Sequence, residues 1–348
     1  MTNSKNPKVS LIIVSLNFGE FIEHTIKAAL NQDYPNREVI VVDGGSTDKT
    51  LEVLKKFDKR IKWISEPDEG QGDACLKGLK MATGDIAYFQ PADDLLYKSA
   101  ATQVVKAFKE NPKAAGIYGR YTYIDEKGKD LSALEAGQSI GKQLDKKRDK
   151  VGKIYKILQK IKSAIIPQKS KAESPENPSQ HLYSFRDLIT RKIVLPACAT
   201  FFKKETFDNT DFGDLKSIKL CPDYRMWLGL GLQGEFVSIP GKVCKTRKQP
   251  EGGNINPKNI GKIQASYRKS AQWFFSNPKV PKEYKTRKIQ QQLESMILLR
   301  APEVWSNISF KKAVSEYFKI AIKHPKVIWH WPRRFRNYLE LAIKYYLP

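Results

Sequence analysis

Cysteine is scarce: 348 residues contain four, Cys75, Cys198, Cys221 and Cys244, and no two are spaced as a CxxC pair. That argues against a zinc-finger or disulfide framework and suits a reducing compartment. Long apolar runs are missing as well. Nothing approaches the ~20 apolar residues that a helix needs to cross a bilayer, and the N-terminus is polar through Lys8, without the apolar core of a secretory signal. A soluble or membrane-peripheral protein of the cytoplasm is expected. Acidic residues are few relative to basic ones, 37 Asp and Glu against 61 Lys and Arg, so the net charge is +24. So basic a chain is drawn to polyanions: nucleic acid, anionic lipid headgroups or phosphorylated small molecules. No internal repeat, P-loop lysine or GxGxxG fingerprint is found, and His324 and His330 are not spaced as a helical metal pair.

What is present begins with alternation. "VSLIIVS" (9–15) is a continuous apolar, β-branched run, as a parallel strand covered on both faces would be. A helical stretch follows through Phe21, Ile22, Ile26, Ala29 and Leu30. "EVIVVD" (38–43) reads as a second strand, and "GGSTDKTLEVLKKF" (44–57) as a Gly-rich turn into a helix with Ser46, Thr47 and Asp48 at its start. "IKWIS" (61–65) is a third strand, "ACLKGLKMA" (74–82) a helix and "DIAYFQ" a fourth strand. Repeated β-α units imply an α/β domain with a mostly parallel sheet. Four segments follow from the composition: 1–125, 126–180, 181–250 and 251–348. The second is rich in Lys, Ser, Gln and Pro, and its "KAESPENPSQ" reads as a mobile linker. The third offers strands in "ATFFKKETF" (199–207) and "GEFVSIPGKVCKTRKQ" (234–249) around the helix "DYRMWLGLGL" (223–232). The fourth is helical, basic and aromatic.

In open α/β sheets, ligands bind where the chain leaves the carboxyl ends of the strands. Those ends carry Ser15, Leu16 and Asn17, then Asp43, Gly44, Gly45 and Ser46, then Glu66, Asp68 and Asp73, then Asp93 and Asp94. Acidic groups thus gather on one edge of a strongly basic protein, an arrangement that is unfavourable without a positive partner. Mn²⁺ or Mg²⁺ carrying a phosphorylated ligand would supply one, because these ions take one or two carboxylates plus substrate phosphates. The plainer alternatives stay open: Asp93 as the N-cap of a helix near Leu95, and Asp223 as the N-cap of the helix that follows it.

Taken together, the stretch from "VSLIIVSLNFGEF" through "VVDGGSTD" to "WISEPDEGQGDACLKGLKMATGDIAYFQPADDLL" resembles the family 2 glycosyltransferases of the GT-A fold, a Rossmann-like α/β architecture, and in particular the bacterial polysaccharide-biosynthesis type. The likeness is dense over residues 8–125 and looser over 195–245. It implies a nucleotide-sugar-binding half (1–125), a basic insertion (126–180), an acceptor-side half (181–250) and a C-terminal helical region (251–348). It also implies inverting transfer of a sugar from a nucleoside-diphosphate donor to a saccharide or lipid-linked acceptor. Asp94 would be the metal ligand in a DXD-like motif. Asp93, Ser15, Leu16, Asn17, Asp43, Gly44 and Asp73 would surround the donor nucleotide, and Asp223 would be the catalytic base. Three departures stand out. Leu16 replaces a common Tyr, Gly44 replaces an Asp that often reads a uracil edge, and Ala197–Cys198 replaces a His-Gln pair. A UDP-sugar is favoured, with that second departure against it.

Two basic segments point to further partners. In "VGKIYKILQKIKSAII" (151–166), apolar residues lie on one helical face and lysines on the other. "HPKVIWHWPRRFRNYLELAIKYYLP" (324–348) interleaves Trp and Tyr with Arg and Lys. Both suit an anionic membrane surface on its cytoplasmic side, or else a solvated helix face. The competing classes are a basic nucleic-acid- or membrane-binding protein and a catalytically silent scaffold. No nucleic-acid-binding module is recognisable, and the acidic edge would repel phosphates unless a metal were present.

Overall fold

Strands β1 (Val9–Ser15), β2 (Arg37–Asp43), β3 (Lys62–Ser65) and β4 (Ile86–Pro91) form where the apolar, β-branched runs predict them. The structure is a computed structural model and describes residues 6–131, 181–189, 195–249, 256–306 and 310–324. The four strands are mutually parallel in the order β3-β2-β1-β4, joined by α1 (Ile22–Leu30), α2 (Thr50–Lys55) and α3 (Gln71–Met81). Alternation along β1 sorts its side chains into two cores. Val9, Leu11 and Ile13 pack with Ile22 and Ile26 of α1 and Val53 and Leu54 of α2. Ile12 packs on the other face with Ala74, Cys75 and Leu79 of α3. Burial on both faces is why these strands read as unbroken apolar runs instead of alternating ones.

Beyond β4 the sheet becomes mixed. The chain continues through β5 (Leu95–Leu96), α4 (Ala100–Glu110), β6 (Ala114–Ile124), β7 (Leu182–Tyr183), α5 (Phe185–Ile189), β8 (Thr200–Lys203), α6 (Lys204–Asp208), α7 (Asp223–Gly231) and β9 (Glu235–Arg247). The full order is β3-β2-β1-β4-β8-β6-β9-β5, with β7 on β9. β8 is antiparallel to both β4 and β6, whereas β9 runs parallel to β6 with register shifts between Tyr118 and Tyr121. Such irregularities bend a strand, and the far half of β9 also pairs antiparallel with β5.

Two local expectations change. The stretch 199–207 is not one strand: β8 ends at Lys203 and α6 follows, with Lys204 and Asp208 paired at 2.6 Å one turn apart. The turn of helix brings Phe207 back onto Phe89 and Phe202, which a continued strand would not. Nor does a helix start near Leu95, so Asp93 caps none there. Leu95 and Leu96 instead pair with Lys245 and Cys244. At the C-terminal side, α8 (Ile260–Ser276), α9 (Arg287–Ser306) and α10 (Phe310–Lys323) are helical as expected. Trp273, Phe274, Ile289 and Leu293 share a third core with Ile189 and Leu228. No helix among the described residues is long and apolar enough to cross a membrane. The basic stretches 151–166 and 325–348 lie outside the described residues.

The N-terminus of α3 is sewn to the segment that precedes α7. Gln71 N–H donates to the Lys219 carbonyl (3.1 Å), Gly72 N–H to the Ile218 carbonyl (3.0 Å), and Cys221 N–H to Gln71 Oε1 (3.0 Å). A Cβ at Gly72 would collide with the Leu215 carbonyl oxygen, a backbone atom that cannot swing aside. Gly72→Ala is therefore expected to cost about 1–3 kcal/mol, the usual range for overpacking. Urea denaturation measures this, and an unchanged midpoint would mean that the 215–221 segment is free to move.

Candidate active site

The carboxyl ends of the parallel strands lie level, with Ser15 beside Asp43 and Asp43 beside Ser65 in register. Here the loops lock one another. Asn17 sits in the left-handed region (φ 59°), which Asn tolerates better than most side chains. In that pose its N–H donates to Ser46 Oγ (2.7 Å), and its Oδ1 accepts from Thr47 N–H (2.9 Å). Gly19 N–H donates to Asp48 Oδ2 (2.8 Å), and Asp48 Oδ1 accepts from Thr50 N–H (3.0 Å), so Asp48 fixes the start of α2. Leu16 stands out half-exposed at 51 % beside this lock, an apolar platform at the strand end. Ser15 is buried, and its Oγ has no hydrogen-bond partner.

Asp43 is fully buried, and its carboxylate is committed to the loop. It accepts from Gly45 N–H (3.2 Å), Ser46 N–H (2.9 Å), Ser65 Oγ (2.7 Å) and Ser46 Oγ. Gly44 follows, and a Cβ there would collide with Asp68 Oδ2. The Asp68 carboxylate thus occupies the space that a side chain at position 44 would fill. Its Oδ1 accepts from Gly70 N–H (2.8 Å), and burial raises its pKa, with the charges of Asp73 and Asp43 adding to the effect and Lys77 opposing it. Asp73 is buried in the first turn of α3, where it accepts from Glu69 N–H (3.1 Å) and lies 3.5 Å from Lys77 Nζ.

Asp93 and Asp94 form the turn between β4 and β5. Asp94 is 2 % exposed, and its Oδ1 accepts from Arg247 N–H (2.9 Å). Asp93 is partly exposed, and its Oδ2 accepts from Gln249 Nε2 (2.9 Å). The Arg247 guanidinium bonds to main chain rather than to either carboxylate: Nε to the Asp93 carbonyl (3.1 Å), and one terminal nitrogen to the carbonyls of Asp125 and Glu126 (both 2.7 Å). Burial accordingly pushes both carboxyls up, Asp94 well above the carboxylate range. For Asp94 the neighbouring Cys198 and Asp93 add to the shift, and Arg247 only partly opposes it. Two adjacent carboxylates that are costly to ionise are donors of the kind that a hard divalent cation takes.

Asp223 is the first residue of α7, not its cap. The cap position is Pro222, and no side chain caps the helix. Asp223 is partly buried, and its pKa is raised to about 6 by burial, against weaker opposition from backbone N–H groups and Arg300. It is brought to the same edge by the segment just before it, which bonds to Gln71 and Gly72 at the start of α3. Sequence reasoning missed Arg247 and the approach of Asp68 to Gly44, since both depend on contacts between loops that no local pattern reports.

Comparison with known proteins agrees with this architecture. The family model described as glycosyl transferase family 2 matches residues 10–172. A dolichyl N-acetyl-α-D-glucosaminyl phosphate 3-β-D-2,3-diacetamido-2,3-dideoxy-β-D-glucuronosyltransferase of Methanococcus voltae is 37% identical over 131 residues, 34% of this chain and 40% of the relative. The poly-β-1,6-N-acetyl-D-glucosamine synthase of Staphylococcus epidermidis is 28% identical over 114 residues, 32% of this chain and 28% of the relative. The matched segments span only 20% to 45% of the length of such curated relatives. Among solved structures, a mannosyltransferase of Pyrobaculum calidifontis in complex with GDP-Man and Mn²⁺ superposes with a TM-score of 0.53 at 14% identity, over 99% of this chain and 89% of that one. The shared fold is GT-A.

Arg247 holds three carbonyls from two separate turns. Charge-assisted bonds of this kind contribute roughly 1.5–3 kcal/mol each, less where water can replace the donor. Arg247→Met is expected to cost about 3 kcal/mol or more, measured by chemical denaturation. A loss under ~1 kcal/mol would show that the turns hold without it.

Proposed function

We propose that the chain, whose residues 10–172 match the model of glycosyl transferase family 2, transfers a sugar, with inversion, from a nucleoside-diphosphate donor to a hydroxyl of a saccharide or lipid-linked saccharide in cell-surface polysaccharide assembly. The observation that carries this reading is the pairing on one sheet edge of a buried acidic turn, Asp93–Asp94, with a half-buried carboxylate whose pKa lies near 6, Asp223. The two have different tasks. A single displacement needs a base for the attacking hydroxyl and a means of tolerating charge on the leaving diphosphate.

Asp223 suits the first task. In its ionised form it accepts the acceptor's proton while the acceptor oxygen bonds to the anomeric carbon. The electron pair of the breaking bond leaves with the diphosphate. With a pKa of about 6, Asp223 is mostly ionised at pH 7 yet more basic than an ordinary Asp. Its position is fixed by the bonds from 218–221 to Gln71 and Gly72. For the second task, Asp94, with Asp93 beside it, would hold Mn²⁺ or Mg²⁺, which supplies Lewis-acid stabilisation of the departing diphosphate. Ser15, Leu16 and Asn17 would flank the base and ribose, with Leu16 as the apolar contact. Asp43 and Asp73 would act by shaping the loops, since their oxygens are engaged there. At Gly44 the carboxylate of Asp68 supplies the acceptor that the missing side chain does not, which keeps a UDP-sugar among the donors. The anionic membrane surface remains a partner proposed from the charge of the two basic stretches alone.

Asp223→Asn, which keeps the shape and removes the base, is expected to lower turnover by about 10²–10⁴-fold with donor affinity nearly unchanged. Stability at pH 8 should be unchanged or raised. In the wild type, kcat/KM should fall as pH drops through about 6, the value to which burial raises Asp223. Near-normal turnover of the variant across a panel of nucleotide sugars would remove the catalytic role. Separately, Asp94→Asn should abolish Mn²⁺-dependent binding of a nucleoside diphosphate in calorimetry while the fold is retained. Unchanged affinity for the metal–nucleotide pair would refute the metal assignment.

A further inference from the structure

Two thiols on this edge, Cys198 and Cys244, have no task in the transfer. The carboxylate of Asp94 and the thiols of Cys198 and Cys244 converge, each offering a ligand atom, with all three atoms within 4.8 Å of one another. They come from three separate places in the chain: the acidic turn after β4, the turn that enters β8, and β9. Asp94 and Cys244 are buried, and Cys198 is largely so.

Each ligand is held by its backbone. Cys244 pairs with Leu96 in the β5–β9 ladder. Asp94 accepts the main-chain N–H of Arg247, three residues further along the same strand. The Cys198 carbonyl accepts from Tyr88 Oη at 2.6 Å, and Tyr88 is itself fully buried and stacked on Phe201. On the same turn Gln90 donates its Nε2 to the Asp94 carbonyl (3.0 Å), while its buried Oε1 has no hydrogen-bond partner.

We propose that Asp94, Cys198 and Cys244 form a buried site for a thiophilic divalent cation of the zinc class. Tetrahedral zinc with bonds of about 2.3 Å to sulfur and about 2.0–2.2 Å to oxygen sets its ligand atoms roughly 3.5–4 Å apart. The observed spacing needs at most a small closure, well within side-chain rotation. Three protein ligands leave a fourth position open, as in zinc sites that bind an exchangeable group. The two thiols decide the metal class: sulfur selects Zn²⁺ and its relatives, whereas Mg²⁺ and Mn²⁺ prefer oxygen. The site shares one residue with the donor-site reading but does not depend on it, because it is defined by the cysteines and holds whether or not the chain transfers sugar. Where both readings hold, an ion on the thiols engages Asp94 from the interior and competes with its use towards the diphosphate.

The test uses the full chain, stripped of metal, kept reduced with a phosphine and titrated with Co²⁺ alone as the probe. One Co²⁺ per chain is expected, with thiolate-to-cobalt charge-transfer absorption and tetrahedral d–d bands, both erased by one equivalent of Zn²⁺. Cys198→Ser and Cys244→Ser should each weaken binding at least tenfold, whereas Cys75→Ser, on the buried face of α3, should leave it unchanged. X-ray absorption at the zinc edge of the wild type should count two sulfur ligands, a readout that stands even if a cysteine variant fails to fold. Absence of the cobalt bands, bands that persist in the double variant Cys198→Ser/Cys244→Ser, or a sulfur count of zero or one would each overturn the proposal. Asp94 serves both readings, so the cysteine variants and the sulfur count decide this one, and the transfer activity of Asp94→Asn does not.

Discussion

The arrangement of the candidate site depends on how Arg247 is used. A guanidinium beside two buried carboxylates would ordinarily pair with them and cancel their charge. Here it turns its N–H groups to the carbonyls of Asp93, Asp125 and Glu126, lies over the Phe21 ring at 4.9 Å, and leaves the carboxylates to the backbone N–H of its own residue and to Gln249. The cation therefore fixes where the turn sits without satisfying what the turn lacks. Position and charge are separated: one residue holds the geometry, and the carboxyl oxygens remain for a ligand.

The same logic joins Asp223 to the strand ends. Asp223 owes its place to a loop that docks by backbone hydrogen bonds on the first turn of α3, an approach that only glycine at position 72 permits. α3 in turn packs through Ala74, Cys75 and Leu79 onto Ile12 and Val42, the strands whose ends carry Ser15 and Asp43. Asp223 and the residues at the strand ends are thus positioned from one layer, as the proposed displacement requires if reacting groups are to be held near contact distance.

What could be read from the sequence follows from where the physics is local. β1, β2 and β4 were legible because burial on both faces writes itself as an apolar run, and the acidic turn because two charges directly after such a run are conspicuous. α6 was not, because "KKETF" carries helix and strand tendencies about equally, and the packing of Phe207 on Phe89 decides between them. Asp93 was open to a capping role only while the pairing of Leu95 and Leu96 with β9 was unknown. Arg247 lies 153 positions from Asp94 in the turn it fastens, and Cys198 and Cys244 meet Asp94 from comparably remote parts of the chain. No window of sequence contains both partners. Gly44 was read as an acceptor lost, and the structure brings Asp68 to the vacated space.

Asp94 and Asp223 are both pushed up by burial, yet the consequences differ because their partners differ. A dication beside Asp94 would favour its ionised form and reverse the penalty. Asp223 is opposed only weakly, by Arg300 and backbone N–H groups among the described residues, and its pKa stays near 6. The cost can be given a sign. A carboxyl whose folded pKa is about 6, above its ordinary 3.8, contributes stability that is complete below 3.8 and lost as pH rises through 6. At neutral pH the fold therefore carries an ionised, poorly solvated group that destabilises it. Under the role proposed for Asp223, such a group at the start of a helix, where an amide would sit more comfortably, trades stability for a proton acceptor whose pKa is near neutral.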